Sequence, residues 1–487
     1  GVDIFFVISG YLITSIILKE LVTTGSFSFK HFYERRIRRI LPALLFVMLV
    51  SLPFAWMYLL PSSFVDFSKS ILYSIGFSSN FYFHYSGQQY GAESGLLKPF
   101  LHTWSLSVEE QFYILFPIVL LITFKYFRKH LLTILVIGLI ISLQMADWGS
   151  RSYPSASFYF LHTRMWELLA GSILAYFEIT LGHRSKNKTL NLILPSIGLF
   201  LIGHSILFFN DEMFHPSFYT LSPIIGVCLI IWFSSKNELI TKILSTKLFV
   251  GIGLISYSLY LWHYPIFAFA RIKDNTPSEF DKFEWIILSI ILSLISYFFV
   301  ERPFRNKQNK FNKILPILLI ITSLVIAVNI YISIKSGKIS YSYIKIKNIY
   351  YYNNILNEEL RNDSWKYVEK YKFKEFKSEE KIKVLIIGDS HSKDLFNAFI
   401  QNANLFKNYE FLRYDDRQTS FNFKNLENKT INRLIESEVF KKTDLILISD
   451  YFNEDIDIDK LDIFLKTIGD KKKIVLTSNS NIYAVPK

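Results

Sequence analysis

The chain has 487 residues, of which 51% are hydrophobic and 17% aromatic, and this composition is typical of a membrane protein with a soluble part attached. Its formal net charge of +13 comes from short basic clusters between apolar runs rather than from one stripe, which argues against a nucleic acid-binding surface. The single cysteine, Cys228, lies in an apolar segment, so a disulfide framework and a cysteine-ligated metal site are excluded, and we expect no metal.

Ten apolar segments are candidates for membrane-spanning helices, since a bilayer core needs about 20 helical residues and accommodates somewhat shorter segments. They are Ile4–Leu18, Ile40–Leu60, Leu101–Phe124, Leu131–Met145, Phe160–Phe177, Leu190–Phe209, Tyr219–Phe233, Leu248–Ala270, Trp285–Val300 and Ile314–Ile334. A further aromatic-rich stretch, Ser68–Tyr85, contains Ser, Asn and His throughout and is better interpreted as an interfacial or re-entrant piece. The sequence therefore predicts a polytopic α-helical bundle over residues 1–334.

The loops between these segments differ in basic content. Starting from the loop after the first segment, alternate loops carry twenty Lys and Arg residues, whereas the remaining loops carry six. The positive-inside rule places the richer set in the cytoplasm, so Gly1 lies outside and the residues after Lys335 are exported. A cytoplasmic start would then require one further helix upstream. Because the chain begins at Gly1 inside an apolar run and stops soon after a strand-like run, we expect a fragment truncated at both ends.

The exported part changes from a Lys/Tyr/Asn-rich linker, residues 335–380, to an α/β pattern over residues 381–487. Lys383–Ile387, Asp444–Ser449 and Lys473–Thr477 have the composition of buried strands, and Leu395–Phe406 has that of a helix. This spacing is typical of a doubly wound sheet.

Ionisable residues stand at the head of the third apolar segment, within His102–Tyr113. Such groups at membrane depth are costly and usually face a bundle interior or a wet cavity. On a helix His102 and Glu109 share one face, whereas Glu110 lies about 100° away, so we expect only one of the two carboxylates to join the His102 face. The alternative is that His102 caps the helix at the interface and that the carboxylates only bond neighbouring helices.

Four arginines precede the second segment: Arg35, Arg36, Arg38 and Arg39. Guanidinium groups bind phosphates bidentately, so this cluster predicts an anion site on the cytoplasmic face. The alternative is topology determination and contact with lipid headgroups.

Other polar residues inside apolar segments have simpler interpretations. Arg164 and Glu167 have the spacing of an i,i+3 ion pair, and His263 is interpreted as part of an interfacial aromatic belt. Asp3, Ser9 and Gly10 indicate close packing of the first segment against a helix upstream of Gly1. Arg302 is a second choice for an anion contact.

A strand that ends in Gly388-Asp389-Ser390 and leads into a helix places Ser390 at the carboxyl edge of a sheet, near amide groups that can stabilise an oxyanion. Serine needs a base to act as a nucleophile. The alternative is a turn that binds a phosphate-like group or a carbohydrate.

Five motifs together resemble the membrane-bound acyltransferase 3 family: Gly1–Ile13, His102–Tyr113, Arg164–Gly171, Tyr257–Pro265 and Glu301–Pro303. The exported part resembles the SGNH hydrolase-type domain that is fused to members of this family that O-acetylate bacterial surface polysaccharides. The resemblance implies an acyl-CoA donor site at an Arg-x-x-Arg motif, which Arg35 with Arg38 or Arg36 with Arg39 would supply. It also implies Ser390 as a nucleophile, whose Asp-x-x-His partner block does not occur after Ser390. Asn453 is a weak candidate for the oxyanion site.

These features predict a bacterial plasma-membrane enzyme that transfers an acyl group, with acetyl as the expected group, from acyl-CoA to a cell-surface glycan such as lipopolysaccharide O-antigen. Ser390, His102 and Glu109 are the catalytic candidates, and Ser390 would relay the acyl group. In a second version of this prediction, the membrane domain itself acylates a lipid-linked glycan. The expected partners are membrane lipid, acyl-CoA and a glycan, with no nucleic acid. One alternative is an exporter or flippase of a glycan or glycolipid with a glycan-binding extracytoplasmic domain. Another is a glycan-binding module that the helical bundle only anchors.

Overall fold

The computed structural model describes residues 1–88, 94–210, 213–235, 238–273, 277–306, 308–335, 375–388, 390–414, 428–449, 455–468 and 472–477. The chain divides into two compact units, Gly1–Tyr343 and Ile344–Lys487. Each unit has its own hydrophobic core.

The described part of the first unit is helical. Its helices are α1 (Val2–Thr24), α2 (Phe29–Tyr58), α3 (Pro61–Ile75), α4 (Ser79–Gly87), α5 (Thr103–Tyr126), α6 (Leu131–Ser152), α7 (Pro154–Tyr159), α8 (Leu161–Leu181), α9 (Lys188–Phe208), α10 (Leu221–Phe233), α11 (Leu239–Leu244), α12 (Lys247–Lys273), α13 (Glu279–Ser296), α14 (Arg302–Arg305) and α15 (Phe311–Ile334). A π-helical turn, Tyr297–Glu301, joins α13 to α14.

Seven helical stretches within the described ranges are long and apolar enough to cross a membrane: Val2–Thr24, Phe29–Tyr58, Thr103–Tyr126, Arg128–Ser152, Lys188–Phe208, Glu279–Arg305 and Phe311–Ile334. They indicate a multi-pass membrane protein. The other three predicted segments fall on α8, α10 and α12, which are outside this group, so the count of ten remains a prediction. The Ser68–Tyr85 stretch forms the end of α3 and most of α4.

Local sequence signals set several helix ends. The Ser28 hydroxyl accepts a hydrogen bond from the His31 amide at the start of α2, and Ser278 forms a capping box with Asp281 at the start of α13. Helix α1 ends at Gly25, whose φ of +70° suits a residue without a Cβ. These ends fix where the apolar stretches begin and stop.

Helices α1 and α8 approach each other at two glycines. A Cβ on Gly10 would lie 1.8 Å from the Leu168 carbonyl oxygen, and a Cβ on Gly171 would lie 1.9 Å from the Val7 carbonyl oxygen. The expectation that the small residues of α1 pack on an upstream helix is therefore wrong for Gly10, because backbone of α8 occupies that position. Small residues at a crossing allow such close contact between helices.

The second unit contains a parallel sheet in the order β2-β1-β3-β4. The strands are β1 (Ile382–Ile387), β2 (Tyr409–Arg413), β3 (Leu445–Ile448) and β4 (Lys473–Leu476), and the described helices are α16 (Ser390–Gln401), α17 (Asn428–Glu436), α18 (Glu438–Lys442) and α19 (Asp455–Ile468). Three strands lie where the sequence predicts them. Helix α16 overlaps the predicted Leu395–Phe406 helix, but it begins and ends five residues earlier. The sequence did not predict β2, because its Tyr-Glu-Phe-Leu-Arg composition is not that of a buried strand.

Candidate active site

Two adjacent carboxylates on α5 are buried inside the helical unit. Glu109 and Glu110 are 5% and 6% exposed. The Ser9 hydroxyl of α1 donates a hydrogen bond to Glu109 Oε1 at 2.5 Å, and the Tyr113 hydroxyl donates to the same oxygen. Glu110 Oε1 is buried with no hydrogen-bond partner among the described residues. Both carboxylates, and not only the one on the His102 face, therefore lie in the interior.

Two arginines of the basic cluster lie close enough to these carboxylates to interact with them electrostatically. The Arg36 guanidinium lies over the Tyr113 ring, 4.0 Å from its centroid. Arg36 and Arg39 interact electrostatically with both Glu109 and Glu110. The structure thus brings the predicted anion site and the predicted polar helix together, in one cluster that we call the inner cluster: Ser9, Arg36, Arg39, Glu109, Glu110 and Tyr113.

The remaining arginines of the cluster have other surroundings. Arg35 is exposed. Arg38 is 7% exposed, and it donates hydrogen bonds to Glu34 and to backbone carbonyl groups, including that of Asn309 at 2.8 Å. Its guanidinium holds α2 against the segment after α14. Of the two Arg-x-x-Arg pairs within this four-arginine cluster, only Arg36 with Arg39 has both members at the inner cluster.

A third carboxylate borders the inner cluster at the π-helical turn. Glu301 is 1% exposed, accepts a hydrogen bond from the Ser258 hydroxyl and lies 3.6 Å from Arg305. It also interacts electrostatically with Arg39. Arg302, the second-choice anion contact of the sequence analysis, is exposed.

His102 is the N-cap residue directly before α5, at the other end of this polar face, and its side chain makes no capping hydrogen bond. Its side chain is 6% exposed, and both ring nitrogens are buried with no hydrogen-bond partner among the described residues. Aromatic rings of Phe100, Tyr260, His263 and Tyr264 surround it, with ring centroids between 4.9 and 6.1 Å from its own. We call His102 and these four residues the outer cluster.

Helix α5 links the outer and inner clusters, because it starts directly after His102 and carries Glu109, Glu110 and Tyr113. His102 and Glu109 are seven residues apart, which is about 10 Å along an α-helix. The predicted pairing of His102 with Glu109 is therefore a shared helix face rather than a direct contact. His102 sits among aromatic rings, and Glu109 sits beside α1 and the arginines.

Arg164 and Glu167 form the predicted i,i+3 ion pair, with Arg164 Nη1 3.0 Å from Glu167 Oε1. Both side chains are fully buried. Asp3 of α1 joins them at 3.1 Å, and His215 Nε2 lies 3.4 Å from the same Asp3 oxygen. Their contacts with one another favour a role in holding α1 to α8.

In the second unit, β1 is followed by Gly388, which is buried and has a φ of +140° that favours glycine. Ser390 begins α16 at the carboxyl end of β1, the edge on which the sequence placed it. Asp389 and Asn453 lie outside the described residues. The roles of Gly388, Asp389, Ser390 and Asn453 stay predictions.

Sequence reasoning did not name several of these residues as site residues: Ser9 and Tyr113 of the inner cluster, Glu301 beside it, and Phe100, Tyr260, His263 and Tyr264 of the outer cluster. Tyr113 lies one helical turn after Glu109, and that spacing could have suggested their contact. The others depend on which helices pack together, which helix periodicity does not reveal. His263 in particular faces His102, so its assignment to an interfacial belt is incomplete.

A family model for the acyltransferase domain matches residues 1–300. A Staphylococcus aureus strain COL protein, provisionally named as an O-acetyltransferase, is 35% identical over 327 residues, 64% of this chain and 53% of that protein. The O-acetyltransferase OatA of S. aureus strain NCTC 8325 / PS 47 is 32% identical over 329 residues, 65% of this chain and 54% of that protein. The match thus spans about half the length of these curated relatives. No solved structure matches the chain.

Proposed function

This chain belongs to the acyltransferase domain family, and on that premise we propose that it is a membrane O-acyltransferase. It takes an acyl group, acetyl in the simplest case, from acyl-CoA on the cytoplasmic side and transfers it to a hydroxyl group of a cell-surface glycan. Lipopolysaccharide O-antigen is one such glycan. The names of the two relatives support acetyl as the group transferred.

The observation that carries this proposal is the inner cluster. Arg36 and Arg39 lie at the cytoplasmic end that the basic loops indicate, and their charges can bind the phosphates of a nucleotide thioester. Glu109 and Glu110 compensate these charges when no anion is bound. A phosphate group that binds Arg36 and Arg39 would neutralise part of their charge in place of the carboxylates. The site should therefore favour an anionic donor.

The polar face of α5 supports a route from the donor to the outer side. The inner cluster lies about 10 Å from His102 along the helix. The pantetheine arm of acyl-CoA is long and flexible, so a nucleotide held near Arg36 can present its thioester towards His102. Glu109, with hydrogen bonds from Ser9 and Tyr113, lines this route.

The second unit extends the same proposal. If residues after Lys335 lie outside the membrane, Ser390 can take the acyl group as an ester and pass it to the glycan. A strand, a glycine with positive φ and a helix beginning at Ser390 are the elements that such a nucleophile requires. In the alternative arrangement the helical unit acylates a lipid-linked glycan, and the second unit selects the acceptor.

The test is transfer from radiolabelled acetyl-CoA to the surface glycan in membranes that contain the full chain. Base-labile label on the glycan is measured as the acetyl-CoA concentration is varied. Arg36→Ala should raise the KM for acetyl-CoA about tenfold or more, because a charge-assisted hydrogen bond contributes about 1.5–3 kcal/mol.

Arg128→Ala is the matched control. Arg128 follows α5 at its cytoplasmic end, is exposed and lies 4.6 Å from the Phe124 ring centroid, so it too is an arginine on an aromatic ring. Its substitution should leave the KM for acetyl-CoA within about twofold, since a single exposed charge contributes little. The proposal is wrong if Arg36→Ala raises the KM for acetyl-CoA by no more than it raises the KM for the glycan acceptor.

A further inference from the structure

His263 on α12 is held in one tautomer by its own helix. Its Nδ1 lies 2.8 Å from the Tyr260 carbonyl oxygen and 3.2 Å from the Leu259 carbonyl oxygen. A carbonyl oxygen only accepts hydrogen bonds, so Nδ1 carries the proton. In the neutral ring Nε2 then has a free lone pair and can accept a proton.

The ring of His102 lies opposite His263. The two centroids are 5.5 Å apart and the rings are inclined by 69°. No hydrogen bond joins them, because both nitrogens of His102 lack a partner among the described residues. A buried polar group without a partner costs about 1–3 kcal/mol, so such a group indicates a ligand that supplies the missing bond.

The geometry suits a hydroxyl group between the two rings. Two hydrogen bonds of about 2.8 Å that meet at one tetrahedral oxygen place their nitrogen atoms about 4.6 Å apart. This separation is compatible with ring centroids 5.5 Å apart. One histidine can then accept the hydroxyl proton while the other bonds the same oxygen.

The surrounding residues fix both rings. The Tyr260 hydroxyl donates to the His102 carbonyl oxygen at 2.6 Å and so ties α12 to the start of α5. The Tyr264 ring stacks on His102 with an interplanar angle of 22°, and its hydroxyl donates to the Gly95 carbonyl oxygen at 2.9 Å. A catalytic group gains most when its position is set before the substrate binds.

We propose that His263 is the general base that activates the acceptor alcohol, and that His102 binds the same hydroxyl oxygen. This inference rests on the proposed acyl transfer and names the acceptor side of its site. The ligand is an alcohol, which a sugar hydroxyl or the chain's own Ser390 hydroxyl could supply.

The proposed transfer conserves atoms and charge. His263 Nε2 takes the proton of the acceptor O–H while the oxygen forms an ester bond to the acyl carbon. The C–S bond of the acyl thioester breaks, and its electron pair leaves on the CoA sulfur. The proton then passes from Nε2 to that sulfur, which gives CoA thiol, the acylated alcohol and the neutral histidine.

The test is His263→Asn in the full chain. The asparagine amide nitrogen can still donate to the carbonyl groups that Nδ1 bonds, but nothing replaces Nε2. Transfer from acetyl-CoA should fall by about a hundredfold or more, since a general base contributes about 10²–10⁴ in rate. The KM for acetyl-CoA should stay within about threefold. Transfer by His263→Ala should be restored in part by added imidazole.

His204→Asn is the matched control, because His204 is an exposed histidine on α9 among aromatic rings. It should retain transfer within about threefold. The proposal is overturned if His263→Asn also retains transfer within about threefold, which is the result expected if His263 serves only to make its Nδ1 hydrogen bonds. It is also overturned if imidazole fails to restore transfer by His263→Ala. Failure of the wild-type chain to transfer acetyl would instead overturn the proposed function. Label on glycan identifies a sugar acceptor, and label on protein that disappears in Ser390→Ala identifies the serine.

Discussion

Gly10→Ala should loosen the crossing of α1 and α8. The added Cβ would lie 1.8 Å from the carbonyl oxygen of Leu168 and 2.6 Å from its carbonyl carbon. Both atoms belong to the backbone, so no change of rotamer relieves the contact. The helices have to separate if the substitution is to be accommodated.

The size of this effect follows from the distances. Carbon and carbonyl oxygen usually approach no closer than about 3.3 Å, so the local separation must grow by about 1.5 Å. Overpacking costs about 1–3 kcal/mol, and replacing glycine by alanine within a helix returns up to about 1 kcal/mol. We therefore expect a net loss of about 1–2 kcal/mol.

The same movement reaches the inner cluster. Ser9 precedes Gly10, and its hydroxyl lies 2.5 Å from Glu109 Oε1. A movement of α1 by about 1.5 Å would disrupt this hydrogen bond, because hydrogen-bond lengths vary by only a few tenths of an ångström. Acyl transfer should therefore fall together with stability.

Thermal unfolding of the purified chain in detergent, followed by size-exclusion chromatography, measures the effect. The apparent midpoint should fall by about 1–3 °C, because an unfolding entropy of about 2.1 cal/mol/K per residue gives roughly 1.4 °C per kcal/mol for the helical unit Gly1–Tyr343. Gly203→Ala is the matched control, because Gly203 lies within α9 and a Cβ there meets no atom within 4 Å. Its midpoint should stay the same or rise. Equal midpoints for the two variants would refute the reasoning.

Two further predictions concern the second unit and the orientation of the chain. Ser390→Ala, at normal expression and membrane insertion, should lower acetyl transfer to the glycan about tenfold or more if Ser390 is a required nucleophile, and unchanged product would exclude that role. Reporter fusions should place Lys186 in the cytoplasm and Lys335 outside, as the basic loops indicate, and the reverse result would contradict transfer across the membrane.

The sequence predicted the elements better than their contacts. Helices occur at each apolar segment, and the Arg164–Glu167 pair forms, because both follow from hydropathy and from spacing within one helix. The bond from Ser9 to Glu109 joins residues 100 positions apart, and no local pattern encodes it. The same limit explains why Gly10 was assigned to the wrong neighbouring helix.

The arginine cluster shows a second limit. Sequence spacing offers two equivalent Arg-x-x-Arg pairs, and helical periodicity does not rank them. The structure separates them because Arg38 is buried against backbone carbonyl groups, whereas Arg36 lies over the Tyr113 ring. The role of each arginine therefore has to be assigned from the groups that its guanidinium contacts.

The separation of the two clusters on α5 constrains the donor. If phosphates bind at Arg36 and the acyl group reacts beside His102, the donor must span about 10 Å between anion and acyl carbon. Acetyl-CoA can do so through its pantetheine arm.

In acetyl phosphate the acyl carbon is bonded through one oxygen to the phosphorus, so an anion held at Arg36 leaves the acetyl group at the inner cluster. Acetyl phosphate should therefore fail to support transfer in membranes that use acetyl-CoA. Equal transfer from both donors would show that the two clusters are not parts of one site.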